Sequence, residues 1–141
     1  MKFKNILSTL VLLMTSFTWS CQKEAHIKKI LCGNQGYFWD VIYIEGKYRK
    51  SPWQGYYFRN DGKYYAYLYG DEGRRPVLIA PHRETPSTIE ANLRNWSIED
   101  DSVLDMEGAG IYLIAGIRED SLFLVLKSEY RPLIKLAKAQ E

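Results

Sequence analysis

The side chains able to do chemistry are few and badly spaced for it. Glu99-Asp100-Asp101 sets three carboxyls side by side where the strand-like runs on either side require a turn. Glycoside hydrolysis needs two carboxyls facing each other across a cleft, whereas adjacent acidic residues at a turn bend and cap the chain. His26 and His82 are far apart and form no His-Glu-x-x-His spacing, so no metal is expected. Gly70-Asp71-Glu72-Gly73 lacks the Lys-Ser/Thr of a phosphate-binding loop, and no serine stands in a Gly-x-Ser-x-Gly elbow. Cys32 has no histidine at a useful spacing and reads as a small apolar core residue. No catalytic residue, no cofactor and no enzymatic activity are expected.

Tyrosine dominates instead, with 11 in the chain. The run Trp53 to Tyr69 reads as two strands, Gly55–Arg59 and Lys63–Tyr69, joined by Asn60-Asp61-Gly62. Asp-Gly between apolar runs signals a hairpin, because Gly tolerates positive φ. Period-two alternation puts Tyr56, Phe58, Tyr64, Ala66 and Leu68 on one face, and Tyr57, Arg59, Lys63, Tyr65, Tyr67 and Tyr69 on the other. The first face suits a core or a ligand pocket. The second, with Tyr57, Tyr65, Tyr67 and Tyr69, suits either contact with a protein or sugar or simple cross-strand pairing that steadies the hairpin.

The elements that position these rings read as short strands. Phe38–Ile44 precedes the hairpin, and Gly70–Pro76 follows it as a polar loop. Val77–Ala80, Thr88–Asn92, Leu93–Ile98, Val103–Met106, Ile111–Ile117, Leu122–Lys127 and Leu133–Ala137 continue the series. Eight to ten strands at close spacing with little helix imply an all-β antiparallel barrel or sandwich. Closure is favoured, since so small an open sheet exposes two edges. The fold expected is an up-and-down barrel of about eight strands over residues 37–141. In a barrel of that size Trp39, Val41, Tyr43, Tyr56, Phe58, Tyr64, Trp96, Ile98, Leu104, Tyr112 and Ile114 point inward. They either fill the interior or line a pocket for one small apolar or amphipathic ligand, with Trp39, Tyr43, Tyr56, Phe58, Tyr64, Trp96 and Tyr112 as its walls.

Residues 1–20 differ from the rest. Lys2 and Lys4 precede an apolar run from Ile6 to Phe17, too short for a comfortable transmembrane helix and fit for a signal peptide. Removing Lys2 and Lys4 from the 19 basic residues leaves 17, equal to the 17 acidic ones. A neutral chain has no general grip on nucleic acid, so no nucleic-acid partner is expected. Lys47-Tyr48-Arg49-Lys50 is a local basic run, read as a solvated loop with lipid head groups or an anionic glycan as the other use. Residues 21–36 read as a tether with a short helix, from the spacing of Ile27, Ile30 and Leu31.

Two resemblances carry these readings further. Thr18-Trp19-Ser20-Cys21, directly after the apolar run, resembles the lipobox of bacterial lipoproteins in its looser Bacteroidetes form. It implies lipidation of Cys21 and anchorage of the chain to the outer membrane through two or three acyl chains. Gln22-Lys23-Glu24 resembles the export signal of surface lipoproteins in those bacteria, and without such a signal the periplasmic face is the default. Trp39, Tyr56-x-Phe58-x-x-Asp61-Gly62-x-Tyr64, Trp96-x-Ile98, Val103-Leu104, Tyr112-x-Ile114 and Leu122-x-Leu124, in that order, resemble the lipocalin-like domains of small Bacteroidetes lipoproteins. That resemblance implies a barrel that binds a small apolar ligand; the alternative is an envelope or glycan-uptake interaction module with a solid interior. Asp101-Ser102-Val103 and Asp120-Ser121-Leu122 resemble the O-glycosylation acceptor of the same bacteria, which would place glycans on Ser102 and Ser121.

Overall fold

The computed structural model describes residues 22–46, 54–77 and 89–139. Helix α1 covers residues 22–32. The strands are β1 (Tyr37–Ile44), β2 (Gly55–Phe58), β3 (Lys63–Gly70) and β4 (Gly73–Pro76), then β5 (Arg94–Glu99), β6 (Val103–Met106), β7 (Gly110–Ile117), β8 (Ser121–Leu126) and β9 (Leu133–Lys138). A helical turn, α2 (Ile89–Asn92), precedes β5. Every strand pairing is antiparallel. The sheet runs β2-β1-β9-β8-β7-β6-β5-β3-β4, and β2 also pairs with β3. That pairing closes eight strands into a barrel and leaves β4 as an extra strand beside the upper half of β3.

Turn chemistry explains the short connections. Between β2 and β3, Gly62 adopts φ 79° after Asn60-Asp61, and the Lys63 amide donates to Asp61 Oδ1 at 3.1 Å. Arg59 N donates to Lys63 O at 2.8 Å, so three residues turn the chain, with the glycine in the left-handed position such loops need. Between β5 and β6, Asp100 and Asp101 have φ of 47° and 57°. Aspartate tolerates this region better than most residues, which accounts for the acidic run as turn chemistry.

The core is the barrel interior. Trp39, Phe58, Leu104, Leu122 and Leu136 are wholly buried, with Tyr56, Tyr64, Trp96, Met106, Tyr112 and Leu124 nearly so. Helix α1 lies across one end, burying Ile27, Leu31 and Cys32. The Trp39 indole N–H, deep in the core, donates to the Leu31 carbonyl at 2.8 Å and ties β1 to the helix.

Four expectations are corrected. Gly70–Pro76 is not a loop: Asp71-Glu72 form the turn of a hairpin, and Pro76 is tolerated because β4 pairs on one side only. Within the strand expected over Thr88–Asn92, Ile89–Asn92 turn as helix α2, and Thr88 lies outside the described residues. Tyr43 does not face the interior. The β1–β9 register shifts between Val41 and Tyr43, so Val41 and Ile44 pack on the core while Ile42 and Tyr43 are both about half exposed. Leu68 leaves the barrel face because β3 diverges from β5 after Tyr64 to pair with β4. The strand expected over Val77–Ala80 lies beyond Val77 outside the described residues.

Candidate functional site

Inside the barrel, the expected pocket walls are brought together, Tyr43 excepted. Phe58 packs edge-on against Trp96 with ring centroids 5.7 Å apart, and lies 6.0 Å from Tyr64 and 6.2 Å from Tyr56. The Trp96 indole N–H donates to the carbonyls of Arg59 and Lys63 at 3.1 and 3.0 Å, which fixes its ring across the barrel end. Toward the other end, Tyr64 donates to Glu107 O at 2.6 Å and Tyr112 to Ala109 O at 2.9 Å, while the Tyr56 and Tyr112 hydroxyls bond to one another. Burial pushes all three phenols above the usual tyrosine range. They are neutral hydrogen-bonding groups at every physiological pH.

These rings pack against one another in the barrel interior. Among the described residues, a partly open pocket of about 30 Å³ lies beside Tyr56, Tyr64, Ala66, Val77 and Ala109. That volume suits a water or two, whereas small-molecule sites span roughly 300–1,000 Å³.

The second tyrosine face is more complicated than a row of exposed rings. Tyr57 and Tyr65 form a directly opposed cross-strand pair, their centroids 5.2 Å apart, and Tyr57 donates to Gln35 O at 2.8 Å. Tyr67 is wholly buried although it points away from the barrel interior. Its ring crosses Gly55 of β2 so that its hydroxyl reaches Asp40 Oδ1 on β1 at 2.5 Å. Tyr69 donates to the same oxygen at 2.7 Å and keeps about half its surface in solvent. Arg74 of β4 covers this group, its guanidinium 4.5 Å from the Phe38 ring and 5.8 Å from those of Tyr67 and Tyr69. Burial, then the bond to Asp40, raise the Tyr67 phenol well above its ordinary range. The face is a small outer core of rings around one carboxylate, with Tyr69 at its solvent border. Asp40 and Arg74 were not singled out by sequence, because their partners lie on other strands.

The modification candidates divide. Ser102 is exposed at the β5–β6 turn and donates to Asp100 O at 3.2 Å. Ser121 is half-buried, opens β8 and pairs with Ala137, so its hydroxyl is less accessible. Cys21, His82 and Lys47–Lys50 lie outside the described residues. Cys32 is wholly buried, and burial raises its thiol above the ordinary value. Among the described residues no three His, Cys, Asp or Glu side chains stand close enough to hold a metal, and no helix is long and apolar enough to cross a membrane. Comparison with models of protein families, with curated proteins and with solved structures finds no match for this chain.

Proposed function

We propose that the chain is a non-catalytic bacterial lipoprotein, anchored through Cys21 to the outer membrane, whose lipocalin-like barrel is a solid scaffold for contacts made on its outside. The observation that carries this reading is the interior. Among the described residues, Trp39, Phe58 and Trp96 are buried in it, and the pocket of about 30 Å³ beside Tyr56 and Tyr64 is an order of magnitude below a ligand site. With the inside occupied by the chain's own rings, recognition falls to the exterior. Tyr69, beside Leu68, offers an amphipathic ring there, held by Asp40 for contact with an envelope protein or a glycan. The second reading, a small apolar ligand in the barrel, draws on the aromatic lining of the remaining space and requires Tyr56 and Tyr64 to move apart.

The anchor is tested by fractionation. Cys21→Ser is expected to move the protein from the membrane to the soluble fraction; unchanged membrane association contradicts lipidation at this residue. Protease added to intact cells is expected to degrade a surface-exposed chain, while protection places it on the periplasmic face.

A further inference from the structure

A groove of about 610 Å³ runs along α1 at the end of the barrel that the helix closes. Its walls come from three separate parts of the chain. Lys29 and Ile30 project from α1, Arg118 and Glu119 from the β7–β8 turn, and Tyr37 and Lys138 form the floor where β1 and β9 begin and end. His26, one turn before Lys29 and Ile30, stands at its edge.

The charge of this groove is unbalanced. Three permanent cations, Lys29, Arg118 and Lys138, meet one carboxylate, Glu119. None of the three cations forms an ion pair with a described carboxylate within 4.0 Å. Like charges gathered in a concavity repel one another, and the arrangement is relieved by an anion placed between them. The floor is also fixed in advance. The Lys138 ammonium sits on the Tyr37 ring, 3.1 Å from its centroid, and the hydroxyl end of that ring packs so closely on Gly33 that a Cβ there would lie 2.6 Å from the Tyr37 hydroxyl. Beside the cations, Ile30, Ile117 and the Tyr37 ring give an apolar wall. A lone inorganic ion would use only the charged part.

We infer that this groove binds the phosphate of an organic phosphoester, with Lys29, Arg118 and Lys138 on the phosphate and Ile30, Ile117 and Tyr37 against the organic body. Arginine gives a planar fork of donors to phosphate oxygens, and the two lysines add point charges. The phosphoester is either the head group of a phospholipid or a soluble molecule, and both present the same chemistry. The site does not depend on lipidation of Cys21, so its fate is separable from that of the anchor.

The test uses the full chain carrying Cys21→Ser. Amide NMR shifts are followed during titration with glycerol 3-phosphate, and binding is measured separately to phosphatidylcholine vesicles with and without phosphatidylglycerol. Shifts grouped at Tyr37, Arg118 and Lys138, weakened about tenfold or more by Lys29→Glu or Arg118→Glu, support the site with a soluble phosphoester. Binding that depends on phosphatidylglycerol and is lost in the same variants, without shifts from the soluble probe, supports it with a lipid source. Both substituted residues are exposed, so neither change disturbs the core. Glu119→Gln, which removes the one opposing charge, is expected to tighten whichever binding is found. No response to either probe, or a response that both charge reversals leave unchanged, overturns the proposal.

Discussion

At the scale of single residues, the protein turns on places where one side chain needs another to be small or to accept its hydrogen. Gly55 is the clearest. A Cβ there would lie 2.3 Å from the Tyr67 ring and 2.4 Å from the Trp39 carbonyl. Gly55→Ala is therefore expected to destabilise by about 1–3 kcal/mol through overpacking, read by denaturant unfolding. Wild-type stability in that variant would contradict the placement of Tyr67 across the β1–β2 pair. Trp39→Phe keeps a ring in the core but removes the donor that satisfies the buried Leu31 carbonyl. A loss of about 1–3 kcal/mol is expected, with early exchange of α1 amides as the helix loosens from the barrel end. The Cys32 thiol is wholly buried with a raised pKa, so it should react with thiol reagents only as the fold opens.

Individual elements show what sequence can and cannot reveal. The β2–β3 hairpin was legible because Asp61-Gly62 carries its own turn geometry and the flanking rings alternate. Gly62→Ala is expected to cost about 1 kcal/mol, since φ 79° is strained for any residue with a Cβ. The inward set Trp39, Tyr56, Phe58, Tyr64, Trp96 and Tyr112 was legible from period-two spacing alone. Tyr43 was not, because a register shift in β1 breaks the alternation and nothing local announces it. β4 was hidden for another reason. Gly73-Arg74-Arg75-Pro76 has no apolar alternation, and its role comes from Arg74 reaching Phe38, Tyr67 and Tyr69 on other strands. The same holds for Tyr67, whose burial depends on an absent side chain on the adjacent strand and an acceptor two strands away. The phosphate groove draws on α1, β1, β9 and the β7–β8 turn, so sequence spacing could not gather it.

Taken whole, the molecule is a ring of eight strands closed around its own aromatic side chains and stoppered by a helix. That packing sets its response to alkali. Tyr56, Tyr64, Tyr67 and Tyr112 have folded pKa values raised above the unfolded value near 10. Above that pH the unfolded chain releases protons that the folded chain keeps. Stability is thus full below about pH 10 and falls as pH rises beyond it. Ultraviolet titration should show these phenols ionising together with unfolding; reversible ionisation of all tyrosines near pH 10 in the folded state would contradict their burial. The same packing underlies the functional reading, in which contacts are made outside a filled barrel. The most direct measurement compares native and denaturing mass spectra of the chain purified from its own host under gentle conditions. Equal masses are predicted for the isolated chain, apart from any phosphoester removed by charge reversal at Lys29 and Arg118. A stoichiometric noncovalent apolar molecule that survives those charge reversals and is lost on denaturation would mean that the rings part to admit a ligand, and would contradict a solid interior.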